Sequence, residues 1–157
     1  MIKTFDSFAN PPKKRSDSAG VAIVLESEPK KILLVHPTNG SWRKPVLGIP
    51  KGKIEEDEDH TTAALRELFE ETGIMLDASQ VEPGIHTAEV WKGESFNHNI
   101  HYLICRISKT SDIGLVDERV PKSQVQAGEI DWAGFVSIDD AYSKIASSQR
   151  IILDRLR

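Results

Sequence analysis

GKIEEDEDHTTAALRELFEETGI, residues 52–74, crowds acidic side chains around a segment that reads as one short helix. Asp59 is a natural N-cap, Ala63 to Phe69 are helix-compatible, and Gly73 is placed to end the helix in a left-handed conformation. With residues 60–72 helical, Glu67, Glu70 and Glu71 fall at i, i+3 and i+4 and share one strip of the helix surface. Glu67 and Glu71 are then like-charge neighbours, which in water costs about a few tenths of a kcal/mol. A hard divalent cation such as Mg²⁺ turns that repulsion into coordination, because it takes oxygen ligands, keeps some of its waters and bridges to phosphate oxygens. Arg66 lies beside the strip, in reach of Glu70 one turn on or of Glu58 behind it, and so reads as a residue that orients a carboxylate by bidentate hydrogen bonding. Ala64, Leu65 and Leu68 are left to anchor the helix on a core, with the acids presented on the opposite side. On the residues alone, a metal site and a solvated acidic strip are both open.

Working outward, the chain has 157 residues and a formal charge of −4, which sets it apart from proteins that coat a nucleic-acid backbone with a broad basic surface. The length suits one domain. Cys105 is the single cysteine and lies in the apolar run YLICRI, so no internal disulfide forms and the thiol reads as a small buried hydrophobe in a reducing compartment. The first residues, MIKTFDSFANPPKKRSDS, lack the apolar core of a signal peptide, and no later run is long enough to cross a bilayer; a soluble cytoplasmic protein is expected. Residues 1–18 read as an arm, because Pro11, Pro12 and the polar KKRSDS interrupt any regular pattern, and residues 19–157 as the domain.

AGVAIVLES and KKILLVHP are aliphatic, β-branched runs on either side of a turn-prone segment and predict paired strands. TNGSWRKPVLGIPKGK reads as a loop with a short strand at Val46 to Ile49. GIHTAEVWKG and NHNIHYLICRI predict two strands joined around GESF, EIDWAGFVSI a further strand, and the tail from Asp139 one or two amphipathic helices. Glu55, Glu56 and Asp57 read as a solvated charge run before the helix. His98 and His101 stand three apart on a strand and face opposite sides, which argues against joint chelation.

The 52–74 stretch resembles the Nudix box, GX5EX7REUXEEXGU with U a bulky aliphatic residue. It fills all nine constrained positions, with Gly52, Glu58, Arg66, Glu67, Leu68, Glu70, Glu71, Gly73 and Ile74, and both spacers have the right length. The flanking strands and the closing EIDWAGFVSIDDA are similar to the same family. The resemblance implies an α/β fold: an α/β/α sandwich with a mixed central sheet and a carboxylate-bearing helix. It further implies a Mg²⁺- or Mn²⁺-dependent pyrophosphohydrolase that cleaves a nucleoside diphosphate linked to another group. Under it, Glu67, Glu70 and Glu71 hold the metal, Glu58 supports them, the carbonyl of Lys51 adds a ligand, Arg66 holds a glutamate in place, and Glu129 supplies a further ligand or the base.

For the substrate, GIPKGKIEEDE resembles the opening of the box in enzymes that hydrolyse diadenosine polyphosphates, with Lys51 and Lys53 near a phosphate chain. KKR followed by AGVAIVLE also resembles enzymes acting on diphosphoinositol polyphosphates, for which Lys13, Lys14, Arg15, Arg43 and Lys44 would serve. ADP-ribose, FAD, a nucleoside triphosphate or a capped or triphosphorylated RNA end also fall within what the resemblance implies. Leu47 stands where many members carry an aromatic residue, and Trp91 stands in the region where dinucleotide enzymes carry a tyrosine. Trp42, Trp91, Phe96 and Tyr102 are aromatic candidates for stacking on a base, although Tyr102 also reads as core and Trp132 more so. A regulatory domain that binds nucleotides without cleaving them is the competing class; the intact acids favour the enzyme.

Overall fold

Every residue of Ser18–Leu25 is buried, as a largely apolar strand covered on both faces must be, and this strand (β1) becomes the middle of the sheet. The computed structural model describes residues 16–157. The basic residues Lys13, Lys14 and Arg15, and most of the expected arm, lie outside them.

The other strands are β2 (Lys31–Pro37), β3 (Lys51–Lys53), β4 (His86–Lys92), β5 (Ser95–Ile107) and β6 (Ile130–Ser137), with helices α1 (His60–Thr72), α2 (Ile138–Lys144) and α3 (Arg150–Leu156). The order across the sheet is β4-β5-β1-β2-β6, with β3 paired to β1. β1 runs parallel to β5 from Ser18↔Ile100 to Leu25↔Ile107, and every other pairing is antiparallel, so the sheet is mixed as expected. The expected pairing of the first two strands holds only at their turn, at Val24↔Ile32 and Leu25↔Lys31. Beyond it the two strands part, and β3 takes the vacated edge of β1 at Ser18 to Gly20.

Here the structure corrects one expectation. The short strand is not Val46 to Ile49 but Lys51–Lys53; Leu47 and Gly48 make only isolated bridges, to Ile145 and Val35. Gly20 allows this close approach, because a Cβ there would run into the Pro50 carbonyl and the Lys51 side chain.

The alternation of side chains along β1 separates two cores. Val21 and Ile23 face α1 through Ala63, Ala64 and Leu68, together with Ile113 and Leu115. Ala22 and Val24 face α2 and α3 through Ala141, Ile152, Leu153 and Leu156. The architecture is thus an α/β/α sandwich. No helix among the described residues is long and apolar enough to cross a membrane.

Candidate functional site

α1 begins and ends where the sequence directs. The Asp59 carboxylate accepts from the Thr62 N–H at 2.7 Å, and Gly73 closes the helix at φ 73°, its N–H donating to the Phe69 carbonyl. The helix packs against β1 and β3, so its acidic strip does not all face water as expected. Glu67 and Glu71 are only 9% and 6% exposed and lie in the seam between α1 and β3, while Glu70 is solvated. The difference comes from β3, which runs along the helix and covers the strip that the core leaves open. Gly52 makes the seam possible: a Cβ at this position would collide with the Glu67 carboxylate.

Arg66 ties the acids together. Its Nε donates to Glu58 Oε2 at 2.7 Å and its Nη2 to Glu58 Oε1 at 2.9 Å, a bidentate pair. Nη1 donates to Glu67 Oε1 at 2.9 Å and to Glu70 Oε1 at 3.2 Å, and Nη2 also reaches the Lys53 carbonyl at 3.0 Å. The two alternatives open in the sequence, Glu58 and Glu70, are both taken. The Arg66 guanidinium, helped by the Glu55 N–H, holds the Glu58 carboxyl down to about 2. Burial moves Glu67 the other way, against the pull of Arg66. Glu71 receives the Lys51 N–H at 3.1 Å, yet burial, with the negative charges of Glu67 and Glu129 nearby, pushes its carboxyl up to about 8.

Of these acids, Glu71 borders a cavity of about 310 Å³ that it lines together with Lys51 and Glu129 and whose walls include Val35, Leu47, Ile49 and Ile130. Glu129 is exposed at its rim, and its carbonyl accepts from the Thr38 N–H at 2.8 Å. Lys53, Arg66, Glu67 and Glu70 line a second, open depression on the other side of the seam.

The donor set suits a hard divalent cation, being all carboxylate and carbonyl oxygen. A buried carboxyl raised as far as that of Glu71 is one that a cation would return to its charged form. No three acidic or histidine side chains among the described residues already converge on one point. Arg66 draws Glu67 and Glu70 toward Glu58 instead.

The aromatic candidates fall in different places. Trp42 is 55% exposed, stacks on His36 with ring centroids 3.8 Å apart, and donates its Nε1–H to Asp131 Oδ2 at 3.2 Å; Arg43 follows it, exposed on the same loop. His36, fully buried, also faces Asp131 Oδ1 at 2.7 Å. Trp91 lies at the β4–β5 turn edge-on to Phe96, apart from the residues lining either depression. Tyr102 is fully buried on the α2–α3 side of the sheet, its hydroxyl accepting from Arg155 at 2.8 Å, and the structure does not bring it to the acids. His98 and His101 do part company: His101 stacks on His60 of α1, and His98 meets Asn97. Sequence reasoning passed over Gln149, which lines the cavity from the polar segment SSQR. No spacing or composition marks it; only the packing of α3 brings it there.

A NUDIX domain model matches residues 16–156. An m7GpppN-mRNA hydrolase from Bos taurus, NUDT17, is 32% identical over 136 residues, which cover 79% of this chain and 43% of that protein. The ADP-ribose pyrophosphatase of Saccharomyces cerevisiae is 30% identical over 120 residues, covering 72% and 47%. The chain therefore spans less than half the length of either relative. Among solved structures, an Ap4A hydrolase from C. elegans in a binary complex gives a TM-score of 0.62 at 19% identity, over 90% of this chain and 95% of its own. The NUDIX domain of NrtR from Shewanella oneidensis, complexed with ADP ribose, gives 0.63 at 16% identity over the whole of both. At such identities these two likenesses speak for the fold alone. With the family model running through both helical layers, the sheet and the complete acidic box, the chain belongs to the Nudix family.

Proposed function

We propose that this chain is a Mg²⁺- or Mn²⁺-dependent pyrophosphohydrolase that cleaves a nucleoside diphosphate linked to another group. The observation that carries this reading is the pair of carboxylates, Glu67 and Glu71, buried in the seam between α1 and β3, with Glu71 lining the cavity and Glu67 the open depression beside Lys53. Arg66 offsets part of the cost of burial at Glu67, yet burial still raises the carboxyls of both residues, a cost that a bound metal would relieve.

Glu67, Glu70 and Glu71, with the Lys51 carbonyl, would hold the metal; Glu129 would add a ligand or accept the proton of the attacking water. When bound, the metal neutralises the diphosphate and makes a coordinated water more acidic. Glu58 and Arg66 keep the acids aligned, Glu58 by fixing the guanidinium and Arg66 by holding Glu67 and Glu70. Lys51 and Lys53, one beside each depression, would offset phosphate charge.

The substrate we favour is a dinucleoside polyphosphate or a related nucleotide such as ADP-ribose, FAD or a nucleoside triphosphate. The relatives acting on capped mRNA and ADP-ribose add a capped RNA end to that set. Among the described residues, Lys51 is the one basic side chain lining the cavity beside Glu71, which weighs against a diphosphoinositol polyphosphate. The buried free thiol of Cys105 is in keeping with a cytoplasmic setting.

The experiment is a turnover panel with Mg²⁺ or Mn²⁺: diadenosine tetraphosphate, ADP-ribose, FAD, NADH, nucleoside triphosphates, and capped and triphosphorylated RNA. Metal-dependent release of a mononucleotide from at least one substrate, reduced at least about a hundredfold by Glu70→Gln, is expected. No turnover together with tight nucleotide binding would replace the enzyme with a sensor.

A further inference from the structure

We infer that Gln149 is a specificity-determining residue that reads the substrate's base inside the cavity behind Glu71. The inference rests on the phosphoanhydride reading above, which puts the diphosphate at the acidic end of the cavity.

Three observations carry it. First, beyond Lys51, Glu71 and Glu129 the described residues of the lining offer aliphatic side chains, Pro37, Gly48 and one neutral polar side chain, Gln149. At about 310 Å³ the cavity falls at the small end of ligand pockets, which run from about 300 to 1,000 Å³ and pair apolar walls with a few placed polar groups. Second, Gln149 is 4% exposed and its orientation is fixed: Oε1 accepts from the Ile49 N–H at 2.9 Å. The backbone donor settles which end of the carboxamide is oxygen, so the other end is the NH₂ donor. Third, that Nε2 lies beside Gly48, 2.9 Å from where a Cβ would stand, and the absence of a side chain at Gly48 leaves the donor room on the cavity wall.

An apolar slot ending in an oriented N–H donor fits a flat heteroaromatic ring with an acceptor on its edge, a ring nitrogen or a carbonyl oxygen. It does not fit an inositol polyphosphate, whose several anionic groups each call for a cation. A nucleobase is the part of a nucleoside diphosphate that matches this wall, and Gln149 lines the same cavity as Glu71 and Glu129. A donor that a bound ligand covers without pairing disfavours that ligand, which is how such a group confers selectivity.

The test uses Gln149→Glu, which keeps the acceptor for the Ile49 N–H and replaces the donor with a second acceptor. For wild type and variant, KM and kcat are measured with ADP-ribose and with base-free 5-phosphoribosyl pyrophosphate, and AMP binding is measured by calorimetry. The expected result is a KM for ADP-ribose raised roughly ten- to a hundredfold, with kcat within about twofold, AMP binding weakened to match and the base-free substrate unaffected. Equal changes for both substrates, or none for ADP-ribose, would overturn the assignment. Should the wild type turn over nothing, the hydrolase reading fails and AMP alone decides: binding lost in the variant sustains the assignment, and binding equal in both, or absent from both, overturns it. A wild-type measurement guards against a misfolded variant. The Gln149 side-chain amide resonance should move on adding AMP and stay put on adding pyrophosphate; the opposite pattern, or no movement, overturns the proposal.

Discussion

Arg66 and Glu58, eight residues apart and on either side of the helix cap, meet through two parallel hydrogen bonds of 2.7 and 2.9 Å. The pair fixes the guanidinium so that its remaining N–H groups reach Glu67, Glu70 and the Lys53 carbonyl. One cation therefore sets the geometry of three carboxylates. Arg66→Lys keeps the charge but cannot reproduce the fork. It should cost about 1 to 3 kcal/mol in urea unfolding and lower kcat more than it raises KM. Unaltered stability together with wild-type kcat would show that the fork is incidental.

Gly52→Ala tests the seam directly. The added methyl occupies the space of the Glu67 carboxylate, which has to swing away from β3. Activity should fall by at least about tenfold, a misplacement effect on positioned groups. A fully active Gly52→Ala enzyme would mean that Glu67 works from somewhere other than the seam.

Glu71 makes the metal-free protein sensitive to alkali. Its carboxyl is raised in the folded state from 4.5 to about 8, so between those values the folded chain holds a proton that the unfolded chain has released. Stability contributed by this group is full below about pH 4.5 and is lost as pH rises toward 8. Glu58 does not offset it there, because its carboxyl, held at about 2, contributes stability that disappears only as pH falls toward that value. In EDTA the melting temperature should drop by roughly 5 °C from near pH 5 to near pH 8, and added Mg²⁺ should restore it progressively more at the higher pH. Glu71→Gln should flatten both responses. Melting curves in EDTA that are level or climb across this range would contradict the buried acid.

Cys105 should be inert in the native protein. It is buried between β-strand neighbours, and burial foremost, with Glu82 and Asp112 adding negative charge, pushes its thiol up to about 11. A disulfide reagent near neutral pH should label it only after denaturant is added. Rapid labelling of the folded chain would show that β5 opens locally.

The helix, its caps and its acids were legible because each rests on local chemistry: Asp59 caps by a bond to a residue three along, Gly73 ends the helix by its own φ, and the spacing of Glu67, Glu70 and Glu71 is set by helix geometry. Burial of Glu67 and Glu71 was not legible, since periodicity ranks faces within one helix and is silent on which strand will cross it. β3 was missed for a related reason. GIPKGK has the composition of a loop, and it pairs as a strand only because Gly20 and Gly52 let two backbones and one carboxylate approach. Tyr102 read both ways in sequence, as strand apolarity and as an aromatic candidate, and only the packing of Arg155 and α3 assigns its hydroxyl.

β1, the earliest of the described strands, is claimed along one edge by β5 and along the other by β3 and β2, all encoded later. During synthesis its β5 edge stays unpaired until residue 107 has emerged, and its largely aliphatic sequence is sticky throughout that interval. A strand buried along its whole length in the finished protein is thus a hazard while being made. Chaperone demand should rise with any change that slows translation between β1 and β5.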